Sequence, residues 1–110
     1  MTEKQNLLFI CSRNQWRSPT GEAIYRKHEQ YNARSAGTSP NARKTISSKD
    51  IEWADIIFVM EDKHKTRLKA QFNRLLQYKK IVVLDIPDIY QYNDPELIAE
   101  LSEKVESYLR

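Results

Sequence analysis

Short apolar runs alternate with longer amphipathic stretches along this chain of 110 residues. The runs at 7–10, 55–60 and 80–85 are nearly continuous, which is typical of strands buried on both faces. A weaker apolar segment at 33–36 predicts one more strand. The pattern therefore predicts four short strands, each followed by a helical stretch.

The first two helices are predicted from their N-terminal signals. Ser18 and Pro19 form an N-cap and first-turn pair for a helix that runs to about His28. The sequence Ser-Ser-Lys-Asp at 47–50 opens a short helix with a capping box.

The last two helices are predicted from their apolar stripes. A basic helix follows Glu61, and its stripe consists of Leu68, Phe72, Leu75 and Leu76. Asp94 caps the last helix and Pro95 lies in its first turn. The stripe of this helix consists of Leu97, Ile98, Leu101, Val105 and Leu109.

Strands that alternate with helices predict a parallel sheet, because parallel neighbours need long crossover connections. We therefore expect an α/β fold, a three-layer α/β/α arrangement with a four-stranded parallel sheet, in one domain over residues 1–110. Ligands of such sheets bind beyond the carboxyl ends of the strands. The loops after Ile10, Ala36, Met60 and Asp85 should therefore meet at one edge.

The composition argues against several classes of protein. The apolar runs are far shorter than the roughly 20 residues of a membrane span, and the first residues lack the layout of a secretory signal. We expect a cytoplasmic protein without a membrane partner. The single cysteine, Cys11, cannot form an internal disulfide, and His28 and His64 are not at zinc-ligand spacing.

Charge is unevenly distributed along the chain. Residues 1–80 contain 16 Lys and Arg against 8 Asp and Glu, a balance of +8, whereas residues 81–110 contain 2 against 7, a balance of −5. This asymmetry predicts a face that attracts anions, such as phosphate esters, nucleic acid or an acidic partner. Ordinary solvated surface accounts for most of these side chains.

A candidate site follows the first strand. Cys11 comes directly after the strand, and Arg17 follows six residues later, where a helix begins. Backbone N–H groups of a tight loop and of a helix N-terminus converge on an oxyanion such as phosphate, and an arginine fork can bind two of its oxygens. The positive N-terminal end of the helix, together with Arg17, also favours the thiolate form of Cys11. The Ser18 hydroxyl can donate to this thiolate. Cys11 is thus a candidate nucleophile, and the alternative is a small buried side chain at a strand end.

These residues resemble the signature of the low-molecular-weight protein tyrosine phosphatases, which is a cysteine, five residues and then Arg-Ser-Pro near the N-terminus. The resemblance extends through most of the chain, at 34–39, at 55–61 and at 88–90 (Asp-Ile-Tyr), where the family keeps its Asp-Pro-Tyr loop. Asn14 stands at the family's loop asparagine, which braces the loop from a left-handed backbone conformation.

The resemblance implies a phosphatase that hydrolyses phosphomonoesters, foremost phosphotyrosine in proteins, through a phosphocysteine intermediate. Cys11 is then the nucleophile, Arg17 the phosphate clamp and Asp88 the general acid, and no metal or other cofactor is needed. The other residues implied in substrate binding are Ser12, Arg13, Asn14, Gln15, Trp16, Ser18 and Tyr90.

The general acid has competitors on the same segment. Asp85 ends the fourth predicted strand, and Asp94 is already explained as a helix cap. Asp88 is preferred because Tyr90 follows it by two residues, as in the family's loop. Tyr90 or Tyr92 would line the entrance of the site, although simple packing explains such aromatic residues equally well.

The chain also departs from the family. It is shorter, and the deficit lies between Pro40 and Ser47, so the pocket should be more open on that side. Arg13 replaces a usual glycine, Gln15 replaces an apolar wall residue, and the histidine ahead of the Ala42–Arg43 pair is absent. With Trp16, these changes suit a phosphorylated nucleotide, sugar or RNA end as well as phosphotyrosine. Trp16 is equally compatible with a structural wedge under the loop.

Three alternatives remain at this point. Arsenate reduction on the same fold uses additional cysteines, which this chain lacks, so it would need a small external thiol to resolve the intermediate. A phosphate-binding module with weak or no catalysis is consistent with the altered loop and the short 40–47 segment. A nucleic-acid-binding module would use the cations of the third helix, although their spacing winds around the helix. These cations are Lys63, Lys65, Arg67, Lys69 and Arg74.

Overall fold

The computed structural model describes residues 4–109, in which strands and helices alternate. The strands are β1 (Gln5–Cys11), β2 (Tyr31–Gly37), β3 (Ile56–Val59) and β4 (Lys80–Val83). The helices are α1 (Arg17–Tyr25), α2 (Ser48–Trp53), α3 (Asp62–Leu76) and α4 (Pro95–Leu109). None of these helices is long and apolar enough to cross a lipid bilayer.

The four strands form one parallel sheet in the order β2-β1-β3-β4. β1 lies inside the sheet, and Leu7 pairs with Ala33 on one side and with Ile56 on the other. The central position explains the continuous apolar run in β1, since both of its faces are covered. The predicted four-stranded parallel sheet is confirmed.

Alternate residues of β1 supply two separate cores. Leu7 and Phe9 pack on one face with Leu97 and Leu101 of α4, whereas Leu8 and Ile10 pack on the other face with side chains of α2 and α3. Helices therefore cover both faces of the sheet, which confirms the predicted three-layer α/β/α arrangement.

Helix α1 approaches the sheet closely at Gly21. A Cβ atom at this position would lie 2.6 Å from the ring of Phe9, which itself stacks on Tyr25 and on Phe58. Because this ring is held on two sides, the space is available only to glycine. The close contact holds α1 against the face of β1 at Phe9.

Helix α1 differs from its prediction at both ends. It begins at Arg17 with Trp16 as N-cap residue and ends at Tyr25, so Ser18 is not the N-cap. The Trp16 carbonyl accepts from the Thr20 N–H at 3.1 Å and from the Thr20 hydroxyl at 2.7 Å. The prediction fails because the Ser18 hydroxyl faces Cys11 rather than the first turn.

The predicted caps of α2 and α4 are confirmed. Ser47 and Asp50 form a capping box at the start of α2. At the start of α4, a carboxylate oxygen of Asp94 accepts from the N–H of Glu96 at 2.9 Å.

The loops at the carboxyl ends of the strands are tied together by backbone hydrogen bonds. The Thr38 N–H donates to the Cys11 carbonyl at 3.0 Å, and the Met60 N–H donates to the Ile10 carbonyl at 3.0 Å. The Ile86 N–H in turn donates to the Met60 carbonyl at 2.9 Å. The four loops therefore meet at one edge, as expected for this topology.

Candidate active site

A cavity of about 400 Å³ opens at this edge of the sheet. It is lined by Cys11, Ser12, Arg13, Gln15, Trp16, Arg17, Lys63 and Asp88. The structure thus brings together most of the residues singled out in the sequence. Asn14, Ser18 and Tyr90 do not line this cavity.

The loop between β1 and α1, residues 12–16, is held in shape by Asn14. This residue is buried and has a left-handed backbone conformation, with φ of 56°. The guanidinium group of Arg43 donates to its backbone carbonyl at 3.0 Å and to its side-chain oxygen at 2.9 Å. The Asn14 amide then donates to the Ser18 hydroxyl at 2.9 Å. Asn14 therefore braces the loop, and Arg43 holds Asn14 from the segment after β2.

The β1–α1 loop turns its carbonyl groups away from the cavity. The carbonyl of Ser12 accepts from Ser39 N–H at 2.9 Å, and the carbonyl of Arg13 accepts from Arg43 N–H at 2.9 Å. Within residues 4–109, none of the backbone N–H groups of residues 12–16 donates to a protein partner. Free N–H groups in a tight loop ahead of a helix N-terminus form a cradle for an anion.

Gly37 permits the close packing beneath this loop. A Cβ atom at Gly37 would lie 2.5 Å from the Ser12 carbonyl oxygen and 3.1 Å from the carbonyl carbon of Arg13. The short segment after β2 then folds back, since the Gly37 N–H donates to the Lys44 carbonyl at 2.8 Å. Residues 40–47 therefore support the β1–α1 loop directly through Arg43.

The Cys11 thiol is in contact with a hydroxyl group. Cys11 is only 4% exposed, yet it lines the cavity, so the cavity gives access to its sulfur. Its Sγ atom lies 2.9 Å from the Ser18 Oγ, whose other acceptor, the Ala36 carbonyl, is 3.5 Å away. Because Ser18 already accepts from the Asn14 amide, its own proton is free to point at the sulfur. The Ser18 hydroxyl is therefore placed to donate to the Cys11 sulfur.

Two acceptors hold the guanidinium group of Arg17 in place. Its side chain is 3% exposed, and Nη1 donates to the Glu61 carboxylate at 2.5 Å and to the Ile86 carbonyl at 2.7 Å. The hydrogen bond from Arg17 is the largest cause that lowers the pKa of Glu61 below its ordinary value. The Nε atom lies 3.6 Å from an Asp88 oxygen. Within residues 4–109, Nη2 donates to no protein group and Nε has only this long contact, so both can donate to an anion in the cavity.

His64 is a site residue that sequence reasoning missed. It is fully buried, and its Nδ1 accepts from the Glu61 N–H at 3.0 Å, so the proton of the neutral ring is on Nε2. This Nε2 lies 2.9 Å from the Ser12 hydroxyl, to which it donates. Burial, followed by the charge of Arg17, lowers the pKa of His64 to about 4. The available signal was the Glu61-x-x-His64 spacing, which is that of a capping box.

Among the three aspartates, only Asp88 lines the cavity. Its side chain is 57% exposed. Asp85 is exposed, has φ of 55° and lies outside the lining, whereas Asp94 caps α4. The geometry therefore favours Asp88 over its two competitors as the acidic group next to Arg17.

The aromatic residues differ in their placement. Trp16 is 42% exposed and forms part of the cavity wall, so it is not a wedge under the loop. The Tyr90 hydroxyl donates to the Glu100 carboxylate at 2.9 Å, and the Tyr90 ring packs against the core beneath α4. The expected place of Tyr90 at the entrance is therefore not found. Tyr92 lines a neighbouring cavity of about 360 Å³.

The buried His64 predicts a pH-dependent stability. Unfolding restores its pKa from about 4 to 6.5, so the unfolded chain binds more protons between these values and stability falls as the pH is lowered through them. Between pH 7.5 and pH 5, we expect this residue alone to cost about 2 kcal/mol. The free energy of unfolding in urea at both pH values, for the natural chain and for His64→Gln, isolates this contribution. Equal losses in the two proteins would contradict the assignment of a neutral buried His64.

Comparison of the sequence with models of protein families finds no match, and neither does comparison with curated proteins. Solved structures do match. The low-molecular-weight protein tyrosine phosphatase of Streptococcus pyogenes is 19% identical with a TM-score of 0.77, and the match covers 96% of this chain and 91% of that one. Wzb of Vibrio vulnificus, solved with benzylphosphonate, is 20% identical with a TM-score of 0.76 and coverages of 96% and 97%. The YwlE arginine phosphatase of Geobacillus stearothermophilus is 20% identical with a TM-score of 0.69 and coverages of 96% and 92%. The chain therefore has the fold of the low-molecular-weight protein tyrosine phosphatases.

Proposed function

We propose that this chain is a cysteine-dependent phosphatase that hydrolyses phosphomonoesters, foremost phosphotyrosine in proteins. The observation that carries this proposal is the meeting of three features in one cavity. These are the Cys11 thiol, the free N–H groups of the β1–α1 loop and the guanidinium group of Arg17. Together they suit a tetrahedral dianion that lies within reach of a nucleophile.

In the first step, the Cys11 thiolate attacks phosphorus and the bond between phosphorus and the leaving oxygen breaks. Asp88, in its acid form, gives its proton to the leaving oxygen. The loop N–H groups and Arg17 bind the three remaining oxygens, on which charge is spread in the transition state. The products are a phosphocysteine and an alcohol or phenol.

In the second step, the Asp88 carboxylate takes a proton from water as the water oxygen attacks phosphorus. The bond between sulfur and phosphorus breaks, and inorganic phosphate leaves. Cys11 is regenerated as a thiolate and Asp88 as an acid. The Ser18 hydroxyl, 2.9 Å from the sulfur, stabilises the departing thiolate.

The contact between Arg17 and Asp88 supports two separate roles, phosphate binding for Arg17 and proton transfer for Asp88. Arg17 Nε lies 3.6 Å from the Asp88 carboxylate. A phosphoryl group competes for the same Nε, which frees Asp88 to face the leaving oxygen. Glu61 and the Ile86 carbonyl hold Nη1 throughout, so the guanidinium plane keeps its orientation.

The choice of an aryl phosphate is supported by Trp16, which places an exposed indole in the cavity wall. Such a ring packs well against the ring of a phenolic leaving group. Two of the similar structures are consistent with this choice, since one is a protein tyrosine phosphatase and another was solved with benzylphosphonate. An arginine phosphatase shares the fold, so phosphoarginine is the natural comparison substrate.

Replacement of Cys11 by serine separates catalysis from binding. We expect Cys11→Ser to lower kcat for p-nitrophenyl phosphate by at least about 10⁴-fold, because the hydroxyl is a much weaker nucleophile at neutral pH. Binding of vanadate or phosphate should persist, since the loop N–H groups and Arg17 remain. Activity close to that of the natural chain would remove the nucleophile assignment. Anion binding by a natural chain that shows no hydrolysis would indicate a binding module instead.

Replacement of Asp88 by asparagine tests the general acid. Asp88→Asn should slow hydrolysis of phenyl phosphate, a poor leaving group, by about 10²-fold or more, because the phenolate must then depart unprotonated. In a single-turnover experiment, p-nitrophenyl phosphate should lose far less, since its leaving group needs little protonation. Asp85→Asn serves as the matched control and should leave both rates nearly unchanged. Equal losses on the two substrates in Asp88→Asn would argue against this role.

A further inference from the structure

Two cations of the cavity have no part in the chemistry described above. Arg13 is exposed on the β1–α1 loop, and Lys63 is 61% exposed in the first turn of α3. Both line the cavity together with Arg17. Within residues 4–109, Asp88 is the only carboxylate that lines the cavity.

Neither cation is neutralised by a close partner in the described part of the chain. The Arg13 side chain forms no hydrogen bond or ion pair within residues 4–109, and Lys63 Nζ lies 3.9 Å from its nearest carboxylate oxygen, on Glu61. That oxygen already accepts from Arg17 at 2.5 Å. The positive charge at the mouth of the cavity is therefore available to a ligand.

The phosphoryl group itself does not need these two side chains. It has three non-bridging oxygens, to which the N–H groups of residues 12–16 and the Nε and Nη2 of Arg17 can already donate. Arg13 and Lys63 are exposed residues of the cavity wall, so they remain available to the rest of the substrate. A ligand that uses them must carry a second negative charge beyond the scissile phosphate.

A second cavity shares a wall residue with the first. It has a volume of about 360 Å³ and shares Gln15 with the first cavity, and its wall includes Arg26 and Tyr92. Two concave regions that adjoin at one residue fit an extended ligand better than a small phosphate ester. A peptide that continues past the phosphorylated side chain has this shape.

We propose that Arg13 and Lys63 select phosphotyrosine peptides in which acidic residues flank the phosphotyrosine. This inference rests on the proposed function and names the substrate class of the same site. Charge attraction between exposed groups is modest and screened by salt, so we expect selectivity of about threefold to tenfold at low ionic strength. The effect should shrink as salt is added.

The experiment uses two phosphotyrosine peptides that differ only in their neighbours, with aspartates in one and asparagines in the other. Binding of both is measured to the Cys11→Ser chain, and kcat/KM of both is measured with active enzyme. The readout is the ratio of the acidic to the neutral peptide, in which any general effect of a substitution on the loop cancels. The test variant is Arg13→Gln/Lys63→Gln, and the control is Lys27→Gln/Lys49→Gln, which removes two exposed lysines outside both cavities.

We expect a ratio of about threefold to tenfold that falls to near one in the test variant and stays within about twofold of its original value in the control. Selective binding without hydrolysis would support this inference while refuting the proposed catalysis. A ratio near one in the starting protein, a ratio that survives in the test variant, or an equal fall in the control would overturn the inference. Failure of both peptides to bind would also overturn the inference. So would a loss of affinity for a small bisphosphate in the test variant that equals the loss for the acidic peptide.

Discussion

The proposed chemistry depends on a short stretch of backbone whose N–H groups have no partner within the described residues, 4–109. A loop of this kind is unfavourable by itself, because converging N–H dipoles repel one another and lack the hydrogen bonds that a bound anion would supply. The fold compensates by fixing the carbonyl side of the loop through Ser39 and Arg43 and by holding Asn14 in the left-handed region. The site is thus preorganised, so that binding an anion requires little rearrangement.

The same constraint governs the charged groups around the loop. Arg17 is almost completely buried, which is tolerated because Glu61 and the Ile86 carbonyl satisfy one end of its guanidinium group. His64 stays neutral beside it, because burial and the nearby positive charge both disfavour a second cation. These groups come from segments that follow different strands, so the parallel sheet is what assembles the site.

Much of this could be predicted from the sequence because the signals were local. The buried strands, the capping box at Ser47 and the spacing from Cys11 to Arg17 are each contained within a few residues. The contacts that were missed join distant segments, as in the hydrogen bond from His64 to Ser12 across 52 positions. Tyr90 shows the opposite error, since a local motif suggested an entrance residue while Glu100, ten positions later on α4, holds its hydroxyl.

Detection of a phosphorylated Cys11 is the most direct test of the proposed chemistry. The Asp88→Asn variant, in which hydrolysis of the intermediate is slowed, is mixed with p-nitrophenyl phosphate. Within the first turnovers the reaction is quenched in a denaturant at mildly alkaline pH, where the bond between sulfur and phosphorus persists, and the protein is digested at that pH for mass spectrometry. We expect one phosphoryl group on the peptide that contains Cys11, formed together with the first equivalent of p-nitrophenol. Release of p-nitrophenol with no phosphoryl group on Cys11, or with the group on another residue, would contradict a phosphocysteine mechanism.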